Sequence, residues 1–165
     1  MEKLWAPWRI EYIRNPDREC FLCSALKNQK MEDVFILEKM DLAFTIMNCY
    51  PYNNGHLLIA PVRHVGLIES LNDDEIITIH RLLNRSIIAI NQTMHPDGFN
   101  IGLNLGKVAG AGLVDHLHYH LVPRWQGDTN FMPVLGDTKV LSEALKQTYN
   151  RIKNGLDRIS NLYKI

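Results

Sequence analysis

No apolar run in the 165 residues approaches the roughly 18–20 residues that a membrane-spanning helix needs. The first residues contain no apolar signal core, so we expect a cytoplasmic protein with no membrane partner. Cysteines number only three, which argues against the disulfide framework of a small secreted domain. Positive charge is not in excess, because 18 Lys and Arg balance 18 Asp and Glu. This balance predicts that nucleic acid is not a partner.

Two widespread nucleotide-binding motifs are absent as well. Gly106-Lys107 is followed by Val108, so this stretch has no Ser or Thr to bind magnesium as a P-loop does. The surrounding glycines do not form the fingerprint of a dinucleotide-binding fold either. We expect no organic cofactor.

The composition is that of a globular protein. Hydrophobic residues make up 46% of the chain and charged residues 22%, and a chain of this length buries about two thirds of its unfolded surface. Because there is no repeat or long polar linker, we expect a single domain over residues 1–165. Its core is expected at about 20–135, with an N-terminal arm at 1–19 and a C-terminal helix at about 138–162.

The order of the predicted elements favours an α+β fold. A short helix is expected near Cys20, and three strand-like runs follow at 33–39, 42–47 and 56–62. The turns between these strands are short, which predicts an antiparallel meander. Further strands are expected at 99–105 and 114–123. Together they predict an antiparallel sheet of about five strands, with one long helix and a C-terminal helix.

The long helix has the clearest predicted boundaries. Asn72 and Glu75 form a capping-box pattern that predicts a start at Asp73. Pro96 and Gly98 predict an end near residue 94. Between these limits apolar residues recur at spacings of three and four, as on a buried helix face: Ile76, Ile79, Leu83, Ile87 and Ile90.

Three histidines at alternate positions form the most informative pattern. Side chains alternate between the two faces of a strand, so His116, His118 and His120 are expected on one face. Core packing explains the pattern badly, because three imidazoles on one face would lose their water together. Two functional interpretations remain. One is a metal site with imidazole ligands, and the other is a nucleophilic imidazole that takes up a phosphoryl group.

A pair of cysteines has the spacing of zinc ligands. Two residues separate Cys20 from Cys23, but one such pair is only half a zinc site. The spacing also fits a redox pair or two packed thiols. His64 and His116 are the candidates for the two missing ligands.

The histidine pattern resembles the signature of a known family. The run from His116 to Val122 is similar to the motif of the histidine triad (HIT) nucleotide hydrolases and transferases. The resemblance covers about residues 20–135 and includes segments that look like the nucleoside and phosphate sites: Phe44 to Asn48, Gly55-His56, Pro61, Asn104 and Gly110 to Gly112. Two extended segments, Trp5 to Trp8 and Trp125 to Phe131, look most like the diadenosine-polyphosphate phosphorylase branch.

The resemblance implies a role for each of these residues. His118 would attack the α-phosphorus of an adenylyl substrate and carry AMP, in a catalytic set completed by His116, His120 and His56. His120 and His56 would contact phosphate oxygens and orient His118. Asn48 would bind the ribose, and the phosphate site would be lined by Asn104, Gly110, Ala111 and Gly112. A structural zinc ion would be held by Cys20, Cys23, His64 and His116.

The chain departs from the family pattern just before the triad. Gly112 and Leu113 stand where several relatives carry Gln followed by Ser or Thr. One side-chain donor to phosphate is therefore missing, and backbone N–H groups, or Thr129 and Asn130, would have to compensate.

The function that the resemblance implies is cleavage of a nucleoside polyphosphate, with diadenosine tetraphosphate as the expected substrate and phosphate or water as the acceptor. Hydrolysis of an adenosine phosphoramidate is one alternative. A nucleotide- or zinc-binding regulatory protein without turnover is another. The expected partners are a small adenine nucleotide and a second copy of the chain, because similar relatives are dimers joined into one extended sheet.

Overall fold

The structure, a computed structural model, describes residues 19–128 and 143–162. Within these ranges the helices and strands follow one another in this order: α1 (Phe21–Lys27), β1 (Ile36–Lys39), β2 (Ala43–Met47), β3 (Leu57–Pro61), α2 (Asp73–Met94), β4 (Gly98–Leu103), β5 (Tyr119–Arg124) and α3 (Leu145–Leu162). Short 3-10 turns occupy Met31–Val34, Ile68–Ser70 and Lys107–Ala109. No helix in the described ranges has both the length and the apolar character that crossing a bilayer requires.

The five strands form one sheet in the order β1-β2-β3-β5-β4. Every neighbouring pair is antiparallel, so the predicted α+β class and the meander of the first three strands are confirmed. β5 lies between β3 and β4, and β4 is consequently an edge strand among the residues that the structure describes. This order brings the start of β3 and the start of β5 into the same region of the sheet.

Helices cover both faces of the sheet. α2 and α3 pack on one face in a large apolar cluster that includes Ile59, Leu82, Ile90, Leu121, Ile152 and Leu156. α1 packs on the opposite face in a smaller cluster that includes Leu22, Phe44, Ile46, Leu58 and Ala60. His120 lies directly opposite Leu58 in the β3–β5 ladder. The histidine therefore projects on the α1 face, since opposed residues of a ladder share a face.

The boundaries predicted for α2 are confirmed. Both bonds of the capping box are present: Glu75 N–H donates to Asn72 Oδ1 at 2.9 Å, and Asn72 N–H donates to Glu75 Oε2 at 3.0 Å. The helix ends at Met94, and its C-cap residue, His95, has a left-handed φ of 50°. One expectation for its buried face is wrong, because Ile76 is 39% exposed and lies in a shallow groove on the outer side of the helix.

Two predicted strands are shorter than expected. Residues 33–39 begin with part of a 3-10 turn, and β1 spans only Ile36–Lys39. The strand expected at 114–123 begins at Tyr119, so His116 and His118 precede it. The residues before Tyr119 lie outside the sheet, and Leu117 N–H donates to Val65 O, in the loop after β3, at 2.7 Å. Of the three histidines that were predicted on one strand face, only His120 lies within the strand.

The predicted C-terminal helix is confirmed from Leu145 onward, and its apolar stripe packs on α2 within the same chain. A Cβ at Gly155 would lie 3.0 Å from Thr93 Cγ2 and 3.1 Å from Ala89 O. The two helices therefore approach as closely as a glycine permits. The arm up to residue 18 and positions 138–142 of the expected helix lie outside the described residues. The assignment of residues 1–165 to a single domain stays a prediction.

Candidate active site and metal centre

Three histidines from different segments meet on the α1 face of the sheet. His56 lies just before β3, His118 just before β5, and His120 within β5. The His56 and His120 ring centroids are 5.2 Å apart, and those of His118 and His120 are 5.1 Å apart. His56 is fully buried, while His118 and His120 keep 9% and 8% exposure. The site is enclosed, and the two triad histidines retain some access to solvent.

The ring of His118 is oriented by the main chain. Its Nδ1–H donates to the carbonyl oxygen of His116 at 2.8 Å. Because a carbonyl only accepts, the neutral ring carries its proton on Nδ1 and a lone pair on Nε2. An imidazole in this tautomer can act as a nucleophile through Nε2.

A second hydrogen-bond chain sets the tautomer of His120. Tyr52 N–H donates to His56 Nδ1 at 3.0 Å, so the neutral His56 ring carries its proton on Nε2. That Nε2–H donates to His120 Nδ1 at 2.9 Å. The remaining proton of a neutral His120 then sits on Nε2. The main-chain N–H of Tyr52 therefore determines, through His56, that a neutral His120 donates from Nε2. The neighbouring His118 carries its lone pair on Nε2.

Tyr52 was not recognised from the sequence. It acts through its main-chain N–H and through a ring that stacks on His56 at a centroid distance of 4.8 Å. A backbone donor has no side-chain signature, and the sequence contained no signal that could have identified it.

The predicted ribose residue lies beside this chain. Asn48 Nδ2 is 3.3 Å from His56 Nδ1, and Asn48 Oδ1 accepts the N–H of Tyr50 at 2.9 Å. The main-chain N–H of Asn48 also donates to His56 O at 3.0 Å. The structure therefore joins Asn48 to the histidine site, and contact with a ribose stays a prediction.

The predicted phosphate segment forms a tight loop before β5. Asn104 Nδ2 donates to Gly110 O at 3.4 Å. Gly106 and Gly110 have φ values of 81° and 90°, a conformation that favours glycine. Ala111 is buried and Gly112 is exposed. The two residues expected to replace the missing phosphate donor, Thr129 and Asn130, lie outside the described residues.

The four expected metal ligands, which include the first histidine of the triad, lie close together. One ligand atom from each of Cys20, Cys23, His64 and His116 lies within 4.8 Å of all the others. His116 Nδ1 is 3.2 Å from Cys20 Sγ and 3.5 Å from Cys23 Sγ, and His64 Nδ1 is 3.3 Å from Cys23 Sγ. The cluster could hold a metal ion, and two sulfur and two nitrogen donors form a set that suits tetrahedral zinc.

The protonation of His116 fits a ligand role. Its Nε2–H donates to the carbonyl of Pro61 at 2.9 Å, which leaves the lone pair on Nδ1, the atom that faces both cysteines. Burial lowers the pKa of His116, and this favours the neutral ring that metals bind.

Burial, together with Cys20, raises the pKa of the Cys23 thiol to about 11. The third cysteine, Cys49, is exposed and lies outside the cluster.

A family model described as the HIT domain matches residues 28–127, which is more than half of the chain. The chain belongs to the HIT family. The resemblance carried by the histidine motif is thus confirmed.

Two relatives and one solved structure are similar to this HIT protein. AP-4-A phosphorylase of Mycobacterium tuberculosis is 35% identical over 157 residues, which are 90% of this chain and 80% of that protein. An uncharacterised HIT-like protein of Methanocaldococcus jannaschii is 31% identical over 130 residues, which are 78% of this chain and 97% of that protein. A zinc-bound histidine triad family protein of Mycobacterium smegmatis superposes with a TM-score of 0.71 at 21% identity, covering 87% of this chain and 97% of that one. This superposition confirms the expected HIT-like fold.

Proposed function

We propose that this HIT protein cleaves diadenosine tetraphosphate through a covalent AMP-histidine intermediate on His118. The observation that carries the proposal is the bond from His118 Nδ1–H to His116 O, because it leaves Nε2 as the nucleophilic atom. The 35% identity to an AP-4-A phosphorylase over 90% of the chain supports the choice of substrate.

In the first step, His118 Nε2 attacks the α-phosphorus and a phosphorus–nitrogen bond forms. The bond from that phosphorus to the bridging oxygen breaks, and ATP leaves. His120 Nε2–H, held by the chain from Tyr52 through His56, donates to the leaving phosphate oxygen and stabilises its charge.

In the second step, an acceptor attacks the phosphorus of the AMP-histidine and the phosphorus–nitrogen bond breaks. Inorganic phosphate as the acceptor gives ADP, and water gives AMP. Either way the lone pair returns to His118 Nε2. We propose that Asn48 binds the ribose and that the loop of Asn104, Gly110, Ala111 and Gly112 holds phosphate oxygens, since glycine N–H groups can approach an anion closely.

We also propose that Cys20, Cys23, His64 and His116 hold a structural zinc ion. Zinc would supply a crosslink between α1, the loop after β3 and the segment before β5. The ring of His116 would be held by the metal on Nδ1 and by Pro61 O on Nε2. Its carbonyl, which orients His118, would thereby be fixed as well.

The function is tested by incubating the protein with diadenosine tetraphosphate, with and without inorganic phosphate, and separating the products by chromatography. We expect ATP and ADP in equal amounts, formed only when phosphate is present. AMP and ATP formed without phosphate would instead assign the protein as a hydrolase acting through the same nucleophile.

A parallel incubation with adenosine phosphoramidate separates the alternatives. Faster turnover of the phosphoramidate than of diadenosine tetraphosphate would contradict the proposed substrate. Tight AMP binding without turnover of any adenylyl compound would contradict catalysis, and it would favour a regulatory binding protein.

We further propose that two copies of the chain pair through the edge strand β4. Its residue Ile101 is 50% exposed, and Leu105 and Val108, which follow β4, are also exposed. The groove on α2, lined by Ile76, Ile77, His80, Arg81 and Asn84, offers further apolar surface. A second copy fits an antiparallel edge, because the same edge can pair with itself about a twofold axis, as in the dimers that the family resemblance implies.

Light scattering after size-exclusion chromatography should give twice the 19.0 kDa chain mass. Ile101→Lys should shift the protein to the monomer, because a charge would be buried at the edge. Glu38→Gln on β1, the opposite edge strand, is the control and should leave the mass unchanged. A monomeric wild-type protein at micromolar concentration would refute the pairing.

A further inference from the structure

The last residue of β3 and the loop after it make three contacts with the segment that precedes β5. Pro61 O accepts from His116 Nε2–H at 2.9 Å, and Val65 O accepts from Leu117 N–H at 2.7 Å. A Cβ at Gly66 would lie 2.7 Å from Val114 O, so the two backbones touch directly. The position of residues 61–66 therefore decides where His116 and its carbonyl lie.

The same loop is clamped to the N-terminus of α2 by an ion pair. Arg63 Nε and one terminal guanidinium nitrogen donate to the two oxygens of Glu75, at 3.0 and 2.9 Å. That guanidinium nitrogen also donates to Ser70 O at 2.7 Å. Paired Arg–carboxylate bonds of this kind hold both groups in one orientation.

The Glu75 carboxylate accepts hydrogen bonds from two partners, the Arg63 guanidinium and the main-chain N–H of Asn72. Its side chain is 3% exposed, against 51% for Arg63. Glu75 Oε2, which accepts from the terminal guanidinium nitrogen of Arg63, also accepts Asn72 N–H in the capping box. Asn72 fixes the carboxylate on a rigid helix, and the carboxylate in turn fixes Arg63. The capping box uses only Oε2 of Glu75 and does not involve Arg63, so Oε1 is left for Arg63 alone.

We propose that Glu75 is a positioning residue for the HIT site. By holding Arg63, it keeps residues 61–66 in place, with His64 at the metal cluster and Pro61 O against the His116 ring. The His116 carbonyl is thereby kept against His118 Nδ1. The inference rests on the proposed roles of His118 and of the metal cluster, and the contact between Val65 and Leu117 gives it a test that depends on neither.

The test compares Glu75→Gln with a matched control. Glutamine keeps an oxygen that can accept Asn72 N–H, but it removes the charge and the second acceptor for Arg63. Glu38→Gln removes the same charge from another ion pair on α2, in which Arg85 Nε donates to Glu38 at 2.8 and 3.0 Å. Glu38 and Arg85 are 18% and 21% exposed and belong to neither site.

Two measurements are made on each variant, together with its unfolding free energy. The first is amide hydrogen exchange at Leu117, which should become about tenfold faster in Glu75→Gln as the Val65 bond opens locally. The second is zinc affinity by competition with a chromophoric chelator, which should weaken about tenfold, the lower end of outer-shell effects. Glu38→Gln should change neither measurement by more than about twofold.

The removal of the other partner provides a second route. Arg63→Gln should reproduce both effects, and the double variant Arg63→Gln/Glu75→Gln should be no worse than either single variant, because both remove one interaction. Unchanged exchange at Leu117 in both single variants would overturn the proposal, and so would equal effects in Glu38→Gln. Absence of zinc binding by the wild-type protein would refute the zinc proposal only, and exchange at Leu117 would then decide the role of Glu75.

Discussion

His118→Ala is expected to reduce the rate of diadenosine tetraphosphate cleavage by about 10⁴-fold or more, in line with the removal of nucleophiles elsewhere. In the proposed mechanism His118 Nε2 forms the covalent bond, and no alanine atom replaces it. Nucleotide affinity should change little, because the proposed ribose and phosphate contacts come from Asn48 and the loop of Asn104. The rate is measured by product chromatography, and the affinity by calorimetric titration with AMP.

The intermediate itself gives a second readout. Wild-type protein quenched during turnover should carry one adenylyl group by intact-mass spectrometry, and His118→Ala should carry none. His95→Asn is the control, since His95 caps α2 with a φ of 50°, a conformation that asparagine tolerates. A near-normal rate in His118→Ala, or adenylylation of that variant, would exclude His118 as the nucleophile.

Loss of the two cysteines is expected to abolish metal binding. Purified without a histidine tag, the wild-type protein should contain one zinc per chain by elemental analysis. The variant Cys20→Ser/Cys23→Ser should contain less than about a tenth of that, because a hydroxyl is a poor substitute for a thiolate ligand. Bound zinc adds about 4 kcal/mol to the unfolding free energy when free zinc is about a thousand times its Kd. The variant should lose stabilisation of this order.

The control variant Cys49→Ser distinguishes the loss of a metal ligand from the loss of any thiol. Cys49 is exposed and is not part of the cluster, so this variant should keep its zinc and its melting temperature. Less than about a tenth of an equivalent in the wild-type protein would refute the zinc site. Equal zinc content in the double variant and the wild-type protein would assign the metal to other ligands.

The long helix shows how much local sequence can specify. Its capping box, its apolar spacing and the residues that follow it are all within a few positions of the ends that they define. The boundaries Asp73 and Met94 were therefore predictable. The exposure of Ile76 was not, because the sheet covers only part of the helix circumference, and the width of that contact depends on strands far away in the sequence.

Some features of the candidate site could likewise be predicted from the sequence, and others could not. The spacing of Cys20 and Cys23 and the alternation around His118 were visible in the sequence, and the family resemblance supplied the four metal ligands that the structure brings together. The start of β5 was misplaced, because an extended segment alternates its side chains whether or not it pairs. Leu117 pairs with Val65 in a loop rather than with a strand.

Local patterns were sufficient to specify the type of each element, the antiparallel meander of the first three strands and the types of residue at the candidate site, because helix capping, strand alternation and ligand spacing act over a few residues. The start of β5 and its place between β3 and β4 depended on the tertiary structure. The protonation of each ring depended on folding. His56 accepts from Tyr52, His116 donates to Pro61, and His118 donates to a carbonyl two residues away. Almost every residue has a main-chain N–H donor and a C=O acceptor, so the sequence does not show which of these groups a histidine ring will contact. The packing of β3 against β5 brings His56 Nε2 to His120 Nδ1, and the path of the chain from His116 to His118 leaves the lone pair of a neutral His118 on Nε2.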